Sequence, residues 1–175
     1  LETLRGFAAD DLGERIRVVW SGAEYRGRGR ETNWKGRVKF GGTSIRHIAK
    51  INAWNHERKL EQYGRDTVVF DAITTGNFGG FDAWLDGPGH DFHVTTNLGE
   101  MLLPLSEIGI EDVTMSAGGL DRKIRVFRLP DENPHRTIAR EVEVPLKAGG
   151  DNPLWVCVTT EDGFQAWSSP IYAFR

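Results

Sequence analysis

Apolar side chains recur at every second position through much of this chain, and that period constrains the fold more than any other feature. In residues 34–40 the even-numbered positions hold Trp, Gly, Val and Phe, whereas the odd-numbered ones are Lys35, Arg37 and Lys39. Residues 15–20 repeat the pattern, with Ile16, Val18 and Trp20 in phase. Because successive side chains of a strand point to opposite faces, a period of two indicates strands with one buried face.

Such runs are separated by turn-forming residues at intervals of about 8–15 residues, a spacing typical of sandwiches and barrels. We expect hairpins at Gly41-Gly42, at Gly87–His90 and at Glu161–Gly163. Helix signals are limited to His56–Tyr63 and to one turn at Leu105–Ile110, with Ser106 as its cap. The predicted strands are Arg15–Trp20, Trp34–Phe40, Ile45–Ile51, Thr67–Ile73, Phe81–Asp86, Asp91–Asn97, Val113–Ser116, Lys123–Leu129, Arg140–Leu146, Leu154–Thr160 and Gln165–Ala173.

These patterns predict an all-β fold, an antiparallel β-sandwich of about ten short strands, jelly-roll or immunoglobulin-like. The length of 175 residues suits one domain spanning 1–175. The chain begins with Leu1 rather than methionine, so we expect it to be a fragment of a longer multidomain protein. No segment has the length of a membrane span or the pattern of a signal peptide. The compartment stays open.

The net charge of −3 gives no general attraction to nucleic acid or to a membrane surface, so neither is expected as a partner. The single cysteine, Cys157, excludes an internal disulfide. It stands in the apolar run Trp155–Val158, which favours a buried, inert thiol over a reactive one.

The weak candidates for a metal site are His90, His93, Asp82 and Asp86, around the expected Gly87–His90 turn. A transition metal needs three or four such ligands at about 2.0–2.3 Å, and the alternating faces of a hairpin separate these four. We therefore interpret these four residues as polar side chains on the solvent-exposed face of the hairpin. Catalytic residues, metals and cofactors are not expected.

The motifs of a serine hydrolase and of a phosphate-binding loop are also absent from the sequence. No Gly-x-Ser-x-Gly motif occurs, and Thr74–Phe81 lacks the Gly-Lys-Ser/Thr ending of a phosphate-binding loop. Asp71 and Asp82 are acids inside strands, and we expect them to face solvent.

Two features suggest binding instead. Arg26, Arg28 and Arg30 alternate with glycines, so an extended chain would project the three guanidinium groups to one side, near the cations of 35–39. Trp84 is out of phase with Phe81, which places it on the outer face of its strand. An outward tryptophan can stack on a sugar or pack on a neighbouring domain. Trp20 and Trp34, in phase with apolar neighbours, are expected in the core.

The segment Trp155–Tyr172 resembles the closing segment of bacterial proteins whose first half is a PHP-type (polymerase and histidinol phosphatase) metal-dependent phosphoesterase-like domain. The runs Val18–Glu24 with Arg26–Arg30, and Gly76–Leu85, are similar to the same tail region. The resemblance implies a β-rich accessory domain behind a metallohydrolase. The His-x-His motif of the enzymatic part is absent from this sequence, so no catalytic or metal-binding residue carries over.

The sequence therefore predicts a non-catalytic accessory domain that packs on, or assists, its own N-terminal hydrolase-like domain in the parent chain. The alternative is a carbohydrate- or anion-binding module that uses Trp84 and the row Arg26, Arg28 and Arg30. A third hypothesis, an enzyme built on His90, His93 and nearby acids, requires bound metal.

Overall fold

The computed structural model describes residues 5–24, 27, 29–52 and 59–174. Two five-stranded antiparallel sheets pack face to face, which confirms the all-β sandwich. The strand order is β3-β6-β1-β10-β9 in the first sheet and β4-β5-β2-β7-β8 in the second. The strands of the two sheets are β1 (Arg15–Ser21), β2 (Thr32–Gly41), β3 (Ile45–Ile51), β4 (Lys59–Tyr63), β5 (Thr67–Thr74), β6 (Phe78–Leu85), β7 (Asp91–Thr96), β8 (Gly99–Pro104), β9 (Val113–Ser116) and β10 (Lys123–Leu129).

The core lies between the two sheets and is built from the in-phase residues of each strand. Trp20 of β1 stacks on Phe70 of β5, with ring centroids 4.3 Å apart and planes 3° from parallel, so this pair joins the sheets. Trp34 is fully buried on β2, and its indole Nε1 donates to Thr74 Oγ1 at 2.8 Å. The expected core positions of Trp20 and Trp34 are confirmed.

The first sheet is also covered on its outer face, which the alternation in β1 does not predict. A second apolar cluster there contains Phe7, Val19, Ile51, Phe127 and Leu129. Arg5 adds to this cover, since its guanidinium carbon lies 3.7 Å from the centroid of the Phe127 ring. Burial lowers the pKa of Arg5, and the nearby Asp112 carboxylate opposes that effect. As a result, β1 is buried on both faces rather than on one.

Two of the predicted hairpins are connections between sheets instead. Gly41-Gly42 links β2 of the second sheet to β3 of the first, and Gly87–His90 links β6 of the first to β7 of the second. Both predictions were wrong because glycine-rich turns suit a crossover between layers as well as a hairpin. At Gly42 φ is +79° and an added Cβ would lie 2.1 Å from His90 Cδ2, so the two connections pack closely together.

Other local predictions also need correction. The part of the predicted helix His56–Tyr63 that lies among the described residues is strand β4, which pairs with β5 although its residues are good helix formers. Leu105–Glu107 is a 3₁₀ turn, but its cap is Pro104 without a side-chain hydrogen bond, so Ser106 is not the cap. Residues 140–146 form no strand.

The chain divides into two compact units, 1–134 with the sandwich and 135–175 after it. In the second unit β11 (Asn152–Leu154) pairs with β14 (Ile171–Ala173), and β12 (Cys157–Thr159) pairs with β13 (Gln165–Trp167). The two long strands predicted here are thus four strands of three residues each. The Asn152 side chain joins two segments of the unit by hydrogen bonds. It accepts from Lys147 N at 2.8 Å and donates to Lys147 O and to Ala173 O.

Candidate functional site

Asp82 is held on the outer face of the first sheet between two arginines of the neighbouring strand. Its carboxylate accepts from Arg15 Nε at 3.1 Å and from Arg17 Nε at 2.6 Å, and the Nη2 atoms of both arginines also donate to it. Asp82 is 1% exposed, so the expectation that it faces solvent was wrong. The second apolar cluster covers this face, and the two guanidinium groups make the burial of the carboxylate tolerable.

The four metal candidates are not brought together. Asp82 lies on the outer face of the first sheet, whereas His93 lies on the outer face of the second, where its Nε2 is 2.7 Å from Glu100 Oε1. His90 and Asp86 are exposed in the connection between the sheets. Across the ranges that the structure describes, no three His, Cys, Asp or Glu residues are grouped as metal ligands would be.

Trp84 lies on the outer face of β6, as its phase predicts, and is half-buried. The Arg15 guanidinium carbon is 4.4 Å from its ring centroid, and the His47 ring is 5.2 Å away at a tilt of 40°. Its indole Nε1 donates to the Asp131 carbonyl at 3.0 Å. Trp84 therefore already has a cation, a ring and a hydrogen-bond acceptor around it.

The described residues include one of the three arginines of the row. Arg26 and Arg28 lie outside the described residues, whereas Arg30 is exposed in the connection before β2. The cations expected beside the row all lie among the described residues. Lys35, Arg37 and Lys39 are exposed on the outer face of the second sheet. Lys35 Nζ is 3.9 Å from Asp71 Oδ2, and Arg37 has no ion-pair partner in the described part of the chain.

The most unusual surface is in the unit 135–175. Of the 15 large apolar residues that are exposed among the described ones, 11 belong to this unit of 41 residues. They include five aromatic side chains between 53% and 73% exposed. The eleven are Ile138, Val142, Val144, Trp155, Val156, Val158, Phe164, Trp167, Ile171, Tyr172 and Phe174. We call the part of this set within residues 155–174 the apolar tail surface.

The hairpin β12–β13 carries Val158 and Trp167 of the apolar tail surface. Its register pairs Cys157 with Trp167 and Thr159 with Gln165, and the turn between the strands has Gly163 at φ +96°. This confirms the hairpin predicted at Glu161–Gly163. Every residue of both strands is exposed, so the prediction of a buried thiol at Cys157 was wrong. The apolar run 155–158 suggested burial, but nothing in the described unit covers it.

Sequence reasoning placed Leu154–Thr160 and Gln165–Ala173 as strands of one sandwich and expected a buried thiol within Trp155–Val158, so it missed this surface. One signal was available: in 155–158 apolar residues are consecutive instead of alternating. A strand that is apolar at consecutive positions needs cover on both faces.

Comparisons with known proteins give no relatives: no family model, no curated protein and no solved structure matches the chain. Neither of the helical turns that the structure describes is long enough to cross a membrane.

Proposed function

We propose that this chain is a non-catalytic interaction domain that docks on another folded domain through the apolar tail surface. The observation that carries the proposal is the concentration of exposed apolar side chains in 155–174. Monomeric proteins rarely leave large apolar patches in water, and such surfaces usually mark interaction sites. Tryptophan and tyrosine, both present here, are enriched among the residues that dominate binding energy.

The size of the surface is adequate for a specific interface. With about 200 Å² for a fully exposed aromatic side chain, the five exposed aromatic residues of 155–174 present roughly 600 Å². A standard protein interface buries about 800 Å² on each partner. The exposed valines and isoleucines of the same unit bring the available area to that range.

The proposed partner is a PHP-type phosphoesterase-like domain, since the apolar tail surface coincides with Trp155–Tyr172, the segment whose sequence resembles the tail of such proteins. Docking there would attach the sandwich to a hydrolase without supplying any reacting group. The chain would then act on the stability or the substrate access of its partner.

Titration calorimetry between this chain and a purified PHP-type domain from the same genome tests the proposal. We expect a dissociation constant in the micromolar range or tighter, weakened at least tenfold by Trp155→Ser with Trp167→Ser. The control is Tyr63→Ser, which removes a 76% exposed aromatic residue from edge strand β4 of the sandwich and should leave the affinity unchanged. Absence of binding by the folded chain, or equal loss in the control, would overturn the proposal.

A second function has one observation in its favour, the exposed cations on strand β2. Arg37 stands between Lys35 and Lys39, with Thr95 of β7 directly beside it, so the strand offers a line of charge flanked by a hydroxyl group. An acidic glycan suits this chemistry, and Arg26, Arg28 and Arg30 remain the further residues of the proposal. Trp84 lies on the outer face of the other sheet and cannot join Arg37 in one site. The affinity for pectate at low salt should fall with Arg37→Gln. It should not fall with the control Arg46→Gln, which changes an exposed arginine of β3 in the first sheet. No retention of the folded chain on pectate would remove this second function.

A further inference from the structure

Residues 138–147 lead into the hairpin of the unit 135–175 and form neither helix, strand nor turn. Among the strands that the structure describes, none pairs with this segment. Its residues 138–145 are all exposed. In 141–146 the even positions hold Val, Val and Leu, and the odd positions hold Glu, Glu and Pro. This alternation is typical of a strand with one apolar face, although the segment has no sheet to join in the structure.

The Asn152 side chain holds the end of this segment beside the hairpin. Its Oδ1 accepts from Lys147 N at 2.8 Å and its Nδ2 donates to Lys147 O at 3.2 Å, so the first residue of β11 binds both backbone groups of Lys147. Between the two residues, Gly149 has φ +78° and Gly150 has φ +89°. Four-residue loops with glycine in the left-handed region commonly join antiparallel strands. The loop 148–151 therefore places Lys147 opposite Asn152.

The position of Lys147 opposite Asn152 specifies one register between the segment and the hairpin. Val142 is five residues before Lys147, and Cys157 is five residues after Asn152. Residues at equal distances from the closing pair of an antiparallel hairpin are opposite each other. Val142 and Cys157 are therefore partners in this register.

The edge of the hairpin that meets this register is open. Ser168 N donates to Val156 O at 2.9 Å, and Thr160 N donates to Phe164 O at 2.8 Å. Hydrogen-bonded and non-hydrogen-bonded pairs alternate in an antiparallel ladder. Cys157, which follows a hydrogen-bonded position, therefore directs its N–H and C=O groups away from the hairpin. Its backbone can pair with the residue opposite it in the register of the segment.

The same register separates the side chains by polarity, because alternate residues of a strand share a face. Glu141 and Glu143 lie on the face of Val156 and Val158 and bring charge to it. The opposite face is apolar across all three chain segments. Its residues are Val142, Val144, Trp155, Cys157 and Trp167.

From these observations we propose that residues 140–144 are a strap that closes on the free edge of β12 as a third antiparallel strand. In the structure the strap is open. Closure turns a two-stranded hairpin, which is marginally stable in water, into a three-stranded sheet with one apolar face. It also covers an edge that is otherwise open to pairing with other chains. The inference goes beyond the proposed function and holds whichever domain the apolar tail surface docks on.

Disulfide trapping in the full chain tests the strap, because Cys157 is the only cysteine of the chain. Directly opposite residues in a hydrogen-bonded pair have Cα atoms about 5.5 Å apart, a distance that a disulfide spans. Val142→Cys places a second thiol opposite Cys157. The matched controls Glu141→Cys and Glu143→Cys place it one residue away, on the other face. Mass spectrometry of the dilute, mildly oxidised protein measures the disulfide, and circular dichroism verifies folding.

We expect the intramolecular disulfide to form at least tenfold faster in Val142→Cys than in either control. Equal rates in the three variants would show a segment that samples all positions and would overturn the inference. Faster reaction in a control, or disulfides that form only between two chains, would overturn it as well. None of these results bears on the proposed function, because no partner is present.

If Val142→Cys does not fold, amide exchange of the unchanged chain, measured by NMR, decides the question. In the closed strap the amides of Val142 and Val144 are directed at the hairpin, whereas those of Glu141 and Glu143 are directed at solvent. We expect the two valine amides to exchange at least threefold more slowly than the two glutamate amides, after correction for intrinsic rates. Equal exchange at the four positions would overturn the inference.

Discussion

Two aspartates, one on each sheet of the sandwich, show how burial determines the role of a charge. Asp82 and Asp71 are both acids in the middle of strands, and the sequence gives no reason to separate them. The Asp82 carboxylate is buried between Arg15 and Arg17, whereas the Asp71 side chain is 51% exposed beside Lys35. The difference arises from the second apolar cluster, whose members come from distant parts of the chain.

Asp82→Asn should destabilise the protein strongly. The substitution removes the negative charge that compensates two buried guanidinium groups, and breaking a buried ion pair from one side costs about 3–5 kcal/mol. Asp71→Asn, the matched control, should change the free energy of unfolding by no more than about 0.5 kcal/mol. Urea denaturation of both variants measures the difference. Equal effects at the two positions would contradict the buried cluster.

Trp20 and Trp34 provide a second matched pair, since both are buried but only one has a partner for its indole nitrogen. Trp34 Nε1 donates to Thr74 Oγ1, while Trp20 Nε1 is buried without a hydrogen-bond partner among the described residues. Trp34→Phe should therefore cost about 1–2 kcal/mol more than Trp20→Phe, because only the first loses a buried hydrogen bond. Urea denaturation of the two variants provides the measurement, and a larger loss for Trp20→Phe would contradict it.

At the scale of elements, strands of the sandwich were predictable both where one face is exposed, as in β2, and where both faces are buried, as in β10. β9 and β10 have the predicted bounds, and β2 has the predicted alternation. The pairing was not predictable, because the same Gly-rich turns connect strands within a sheet or between sheets. Edge strand β4 was missed because its helix-forming residues are overridden by pairing with β5.

Gly36 on β2 shows how closely the neighbouring strands β5 and β7 of the second sheet pack around one position. A Cβ there would lie 2.7 Å from Phe70 Cζ and 2.7 Å from the Thr95 carbonyl oxygen. Gly36→Ala should therefore destabilise the sandwich by about 1–3 kcal/mol through overpacking. Gly109→Ala is the control, because no atom lies within 4 Å of its added Cβ. Comparable midpoints of thermal unfolding for the two variants would rule out this close packing.

At the scale of the whole molecule, the sequence predicted one domain over 1–175, and the structure has a sandwich unit and a second unit from His135. The strands of the second unit are too short, and its apolar side chains too exposed, for that unit to contain a core like that of the sandwich. The candidate site could not be foreseen from alternation alone, since an apolar residue in a strand is expected inside its own fold. We propose that its cover comes from another folded domain.

Hydrogen–deuterium exchange of this chain, alone and mixed with a PHP-type domain from the same genome, tests that account most directly. We predict slower exchange on mixing for the amides of 155–173, with the largest change in β12 and β13, and unchanged exchange in the sandwich strands. Protection confined to the outer face of β2, or no protection at all at concentrations above 100 μM, would contradict it.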